Sequence, residues 1–121
     1  MNFTISNTIT DELPYILKMN QEALPAVSSV SIEDMKHFLN IVDYFRTLKV
    51  ENKIAGFLIA LSPGKDYSSL NYKWFEKTYN SFMYVDRIVI DTNYHRNGLG
   101  TSFYMTLKHF QLKNHLELPV K

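Results

Sequence analysis

One stretch constrains this chain more than any other: Val85-Asp86-Arg87-Ile88-Val89-Ile90-Asp91-Thr92-Asn93-Tyr94-His95-Arg96-Asn97-Gly98-Leu99-Gly100-Thr101. Residues 82–90 are rich in the aromatic and β-branched types that suit a pleated, mostly buried surface, so they read as a strand. Asp91-Thr92-Asn93 are residues that leave a strand and hydrogen-bond their own backbone in turns. Leu99, Phe103, Leu107 and Phe110 then recur at helical spacing and give the following helix one apolar face. Between strand and helix lies a glycine-bearing loop with a run of free backbone N–H groups. Backed by the positive end of the helix dipole, such a loop suits a phosphate or pyrophosphate.

Spacing separates the glycine loops that do this. A P-loop needs G-x-x-x-x-G-K-[ST], but Gly100 is followed by Thr101 with no lysine in place. A dinucleotide fingerprint needs a small residue three places after its second glycine, and Phe103 stands there. His95-Arg96-Asn97-Gly98-Leu99-Gly100 instead resembles motif A of the GNAT superfamily of acyl-CoA-dependent N-acyltransferases, [RQ]-x-x-G-x-[GA] between a strand and a helix. Both glycines and the apolar residue between them match. His95 departs from the Arg or Gln of the pattern, with Arg96 next door as a source of positive charge. Read without the resemblance, Asn97-Gly98 is equally a simple turn and Gly100 a packing glycine.

The likeness is wider than the motif. Glu22-Ala23-Leu24-Pro25-Ala26-Val27-Ser28, Gly56-Phe57-Leu58-Ile59-Ala60-Leu61, the stretch 66–75 and Tyr84-Val85-Asp86-Arg87-Ile88-Val89-Ile90 resemble a bacterial branch of GNAT acetyltransferases.

Composition narrows the partners. At 121 residues, with 45% hydrophobic and 21% charged residues, the chain has the balance of one globular domain. A formal net charge of +1 gives no electrostatic reason to expect nucleic acid or an acidic membrane surface. The absence of cysteine excludes disulfides, thiolate metal sites and a cysteine nucleophile. Residues 1–10 do not read as a signal peptide, and no apolar run approaches the roughly 20 residues of a membrane helix, so the cytoplasm is the expected location. His37, His95, His109 and His115 form no ligand-spaced set, and no metal is implied.

Taken in order, Phe3-Thr4-Ile5-Ser6 alternates as a first strand. Thr10-Asp11-Glu12-Leu13-Pro14 reads as a helix start with a cap, early acids and a first-turn proline. That helix carries Leu13, Ile16, Leu17 and Met19 or Asn20 on or near its inner face and ends before Pro25. Residues 26–31 form an uncharged linker, and Ser31 with Asp34 three places on opens a second helix as a capping box. Residues 46–51 and 53–61 form a hairpin whose second strand, apolar on both faces, is central. Ser62-Pro63-Gly64-Lys65-Asp66 breaks it. Residues 72–79 form a short helix or ordered loop in which Tyr72, Trp74, Phe75 and Tyr79 make either a satellite core or the wall of a pocket. The last helix runs to about residue 114, and residues 116–120 begin another strand.

The fold class implied is α/β: a GNAT-like mixed, mostly antiparallel central sheet with helices on both faces. A domain of the resembled family continues with a further strand, helix and closing hairpin. Residues 1–121 are therefore expected to be a single GNAT-like domain lacking its C-terminal elements. The sheet edge left unfinished there suits a homodimer or a partner strand.

The resemblance implies acetyl-CoA as cofactor, held by His95, Arg96, Asn97, Gly98, Leu99, Gly100 and Thr101 at its pyrophosphate. It also implies backbone pairing of the pantetheine arm with Ile88, Val89 and Ile90, in the manner of an added strand. The activity implied is transfer of an acetyl group to a primary amine of a small molecule, amino acid or peptide. The rival is a non-catalytic acyl-CoA-binding remnant, or a half-domain that needs a partner. Asp86 stands out on its own, because a carboxylate inside a strand that reads as buried is expensive unless paired. It is expected either as a structural ion-pair partner or, with Tyr84 beside it, as the catalytic base or amine-binding group. Strict alternation puts Asp86 on one face with Tyr84, Ile88 and Ile90, and Arg87 on the other.

Overall fold

The computed structural model describes residues 2–95 and 97–116. The alternating N-terminal segment forms β1 (Phe3–Asn7). A short 3-10 turn (Thr10–Glu12) leads into α1 (Leu13–Glu22), with Pro14 in its first turn where no N–H is needed. The cap at this start is not the expected Thr10. Glu12 reaches back to accept the Ile9 N–H at 3.0 Å, so a carboxylate one turn on does the capping. Helix α2 (Ile32–Ile41) opens on the capping box read from the sequence: Asp34 N–H donates to Ser31 Oγ at 3.0 Å, and Ser31 N–H to Asp34 Oδ2 at 2.9 Å.

Strands β2 (Tyr44–Val50) and β3 (Lys53–Leu61) form the hairpin, with Glu51 and Asn52 at positive φ in its turn. Helix α3 (Leu70–Thr78), β4 (Tyr84–Ile90), a second 3-10 turn (Thr92–Tyr94) and α4 (Leu99–Lys113) follow. The strand expected over 116–120 lies, beyond Leu116, outside the described residues.

The four strands pair antiparallel in the order β1-β2-β3-β4. β3 is central, as its apolar run on both faces requires, and residues 55–61 are all buried. Helices α1, α2 and α3 cover one face through Leu13, Ile16, Met35, Phe38, Tyr72 and Phe75. Helix α4 covers the other through Leu99, Phe103 and Leu107. Tyr72 and Phe75 thus belong to the main core rather than to a satellite, and Trp74, 55% exposed, turns outward.

Two details of β3 and β4 position the site. A Cβ added to Gly56 would lie 2.6 Å from the Val89 carbonyl oxygen, so glycine lets the strands meet closely there. Farther along, Arg87 faces Ile59 and Val85 faces Ala60, which leaves Asp86 as the extra residue of a β-bulge. The bulge shifts the phase of alternation. Tyr84 and Val89 join the core beneath α1–α3, whereas Val85, Ile88 and Ile90 pack on the α4 side. The strict alternation expected from sequence fails at this point: Tyr84 does not share a face with Ile88 and Ile90, and Arg87 does not point away from Asp86.

Candidate functional site

β4 ends in a turn built by its own side chains. Asp91 accepts the Asn93 N–H at 2.9 Å, and its own N–H donates to Ala55 O at 2.8 Å, which anchors the turn to β3. Gly98 is the N-cap of α4 with φ 73°, a left-handed conformation that favours glycine. The first amide to bond back into the helix is Ser102 N–H, to Gly98 O at 3.1 Å. The N–H groups of Leu99, Gly100 and Thr101 therefore have no helical partner, and Gly98 has no side chain to cap them.

Gly100 adds a second indication. It is the second residue of α4, where most side chains are accommodated at least as well as glycine. A Cβ built on it would meet nothing within 4 Å. Packing within the protein does not call for glycine there. The open space at that position and the amides without a helical partner are of a kind that fits a pyrophosphate.

Beside the loop runs a groove of about 600 Å³ lined by Ile88, Ile90, Tyr94, His95, Gly98 and Gly100, among others. Because Asp91 N–H turns toward β3, alternation turns the backbone groups of Val89 toward β3 and those of Ile88 and Ile90 away from it. Among the described residues no strand pairs with that outward side. The Ile90 carbonyl accepts a bond of 2.8 Å from His95 Nε2, which fixes the proton on that nitrogen. Of the residues expected to hold a cofactor, Ile88, Ile90, His95, Gly98, Leu99, Gly100 and Thr101 thus line one groove. Asn97 is an exposed residue of the loop beside it, Val89 faces the neighbouring strand, and Arg96 lies outside the described residues.

The other end of β4 is closed. Asp86 Oδ2 accepts Arg87 Nε at 2.7 Å, and Oδ1 accepts the Tyr67 hydroxyl at 2.5 Å. Their side chains are only 5% and 4% exposed. The Arg87 guanidinium also donates to Asn20 Oδ1, to Ser28 O and to Ser28 Oγ, all within 2.9–3.0 Å. Its carbon sits 5.6 Å from the centre of the Phe38 ring. One cation therefore ties β4 to α1, to the linker after it and to α2, and through Asp86 to the loop after β3. Burial, then the bond to Asp86, push the Tyr67 phenol well above the ordinary tyrosine range. Tyr84 is 5% exposed, and burial raises its phenol too.

A cavity of about 390 Å³ opens beside this network, between the linker, α2 and the loop after β3. Arg87, Ser28 and Tyr67 line it, while Asp86 and Tyr84 lie behind its wall. Sequence reasoning singled out Asp86 and missed Arg87, Tyr67 and Ser28. The available signals were two opposite charges adjacent in a buried strand and a polar Asn20 on the inner face of an apolar helix.

No protein-family model matches the chain, and no curated protein matches it. Solved structures do. The ribosomal-protein-S18-alanine N-acetyltransferase of Escherichia coli superposes with a TM-score of 0.70 at 21% identity, over 95% of this chain. The chain spans 63% of that enzyme's length. Ard1 from Thermoplasma volcanium gives 0.77 at 10% identity, over 96% of this chain and 68% of its own. An aminoglycoside 6'-N-acetyltransferase from Acinetobacter baumannii gives 0.69 at 14%, over 97% and 77%. At these identities the likeness speaks for the fold, which is that of the GNAT acetyltransferases.

Proposed function

We propose that this chain, having the GNAT acetyltransferase fold, is an N-acyltransferase that passes an acetyl group from acetyl-CoA to a primary amine. The observation that carries the reading is Gly100, a helical glycine with open space at its Cβ position, among amides that have no partner in the helix. The N–H groups of Leu99, Gly100 and Thr101 would hold the pyrophosphate, helped by the positive end of the α4 dipole. The outward backbone of Ile88 and Ile90 would pair with the pantetheine arm as a sheet edge pairs with an added strand. The Ile90 carbonyl, which already accepts His95 Nε2, has a second lone pair for such a bond.

In the transfer, the amine nitrogen attacks the thioester carbonyl carbon, the C–S bond breaks, and the thiolate leaves with the electron pair. The amine gives up a proton and the thiolate takes one. Asp86 enters this reading first as a positioning carboxylate, since its two oxygens hold Arg87 and Tyr67. A base role for it would use a lone pair that these bonds leave, and Asp86 is close enough to Tyr84 for its charge to raise the Tyr84 phenol.

Calorimetry with coenzyme A, followed by thiol release from acetyl-CoA against a panel of amines, tests the proposal. One-to-one binding and amine-dependent thiol release are expected. Absence of coenzyme A binding would sink the whole reading, and binding without release against any amine would leave a binding module.

A further inference from the structure

We propose that Tyr67 receives the acceptor amine, its phenol oxygen accepting one N–H of the attacking nitrogen and holding that nitrogen toward the thioester. This inference rests on the transferase reading above and names the side chain that presents the second substrate.

The place follows from β4. In that reading the pantetheine arm leaves the loop and pairs with Ile90 and then Ile88. Two residues farther along, at roughly 3.3 Å per residue, the strand reaches the bulge at Asp86. The reacting end of the arm is therefore carried toward the closed end, where the cavity of about 390 Å³ opens. Asp86 stays behind the wall of that cavity, its side chain 5% exposed. Tyr67 is half-buried, lines the cavity and touches Asp86 directly, its hydroxyl donating to Oδ1 at 2.5 Å.

Hydrogen-bonding capacity singles out the same oxygen. A phenol oxygen that has given its proton to Asp86 keeps two lone pairs, so even with the Arg87 guanidinium close by one is left for the amine. The neighbouring groups are committed within the fold: Ser28 accepts from Arg87, Ser29 from Gln21, and Ser69 from the Tyr72 N–H at the start of α3. Asp86 also makes the Tyr67 oxygen a better acceptor, because a hydroxyl that donates to a carboxylate is polarised by it. Burial, then that same bond, push the phenol well above the ordinary tyrosine range, so Tyr67 remains a hydroxyl and keeps donating to Asp86.

The arrangement implies a preference among amines. Transfer removes one N–H from the nitrogen, and a primary amine has a second that Tyr67 can hold throughout. The nitrogen becomes positive as it attacks, so the held bond strengthens toward the transition state. An N-methyl amine has a single N–H, which cannot be both held and lost.

Tyr67→Phe tests the assignment. The variant keeps the ring between Phe38 and Tyr72, whose centroids lie 5.2 and 5.6 Å away, and leaves Asp86 paired with Arg87. Wild type and variant are compared by kcat/KM with acetyl-CoA, for the best acceptor among benzylamine, ethanolamine and glycinamide and for its N-methyl derivative. Coenzyme A affinity is read by calorimetry on the same preparations. The wild type is expected to favour the primary amine. The variant is expected to lose about tenfold or more of that preference, the scale of one charge-assisted contact, at unchanged coenzyme A affinity.

A variant slowed equally for both amines would make Tyr67 a structural partner of Asp86 alone, and one as fast as the wild type would remove it from the site. A wild type with no preference for the primary amine would count against the assignment without recourse to the variant. Each of these three results overturns the assignment and leaves the transferase reading standing. Coenzyme A binding without thiol release for any of the amines would overturn the transferase reading, and the assignment with it.

Discussion

The two ends of β4 are finished in opposite ways. At the bulge, the charged groups of Asp86 and Arg87 are met by protein: Asp86 by Arg87 and Tyr67, Arg87 by Asn20 and Ser28. At the loop, the first amides of α4 have no helical partner, and Gly100 leaves open space in front of them. A buried charge left unpaired is costly, so the first end has to be completed within the fold. Exposed amides are content with water and can wait for an anion. Stability should reside at the bulge and ligand affinity at the loop.

The largest effect should follow removal of the cation that joins the closed end. Arg87→Ala leaves the Asp86 carboxylate buried without its cation, with only the Tyr67 hydroxyl, and strips Asn20 Oδ1 and Ser28 Oγ of their donor. Loss of one half of a buried pair costs about 3–5 kcal/mol, and a clear fall in the urea midpoint is expected. A variant as stable as the wild type would show that the network is decorative.

Asp86→Asn comes next. The amide keeps an acceptor for the Tyr67 hydroxyl but loses the charge beside Arg87, for an expected loss of about 1.5–3 kcal/mol of stability. If Asp86 is instead the base, transfer should fall roughly 10²–10⁴-fold while the melting temperature stays put. Denaturation and a single-substrate rate on one protein preparation separate the two.

The open end predicts the reverse pattern. Gly100→Leu replaces a poor helix former by a good one where an added Cβ would meet nothing within 4 Å, so stability should hold or rise by up to about 1 kcal/mol. The same side chain fills the space before the amides, and coenzyme A affinity should drop about tenfold or more, by the loss of at least one charge-assisted contact. Unchanged affinity by calorimetry would remove the loop from the site. Gly98 is the poorer probe, because its φ of 73° strains any β-branched replacement whether or not a ligand binds.

Much of this was legible in the residues because local rules and tertiary demands agree. The Ser31–Asp34 capping box, the central apolar β3 and the strand–loop–helix around Gly98 each follow from short-range chemistry. The bulge was not legible. Asp86 and Arg87 share one side of the sheet because the opposing strand has one residue fewer there, and nothing within β4 records how β3 is paired. The partners of Arg87 were hidden for a related reason. Asn20 and Ser28 are 67 and 59 positions away in the chain, a distance that only the packing of α1 and its linker against β4 closes. The start of α1 misled in a smaller way: Thr10 has the chemistry of a cap, but Glu12 was free to reach the Ile9 amide and took that place.

A third polar cluster surrounds Glu12. Glu12, 7% exposed, receives Lys49 at 2.9 Å, the Thr47 hydroxyl at 3.1 Å and the Ile9 N–H at 3.0 Å, while Thr8 in turn donates to Thr47 at 2.7 Å. Burial works against its charge, but Lys49, the Ile9 amide and Thr47 together outweigh it and hold the carboxyl below the usual range. A folded-state value below the unfolded one means the contribution is complete above the unfolded glutamate value of about 4.3 and fades as pH falls from there through the folded value. Acid should therefore destabilise the wild type more steeply than Glu12→Gln over that window, read from urea midpoints at pH 7 and on the acid side. The cluster is closed like the bulge, and Glu12 is no part of the groove beside the loop, so the variant should leave coenzyme A affinity at pH 7 unchanged. Parallel pH profiles for the two proteins would mean that Glu12 does not carry the acid sensitivity. A change in affinity would mean that a closed cluster and the open loop are coupled through β2 and β3, and that the division between the two ends of β4 is less sharp than their hydrogen bonds suggest.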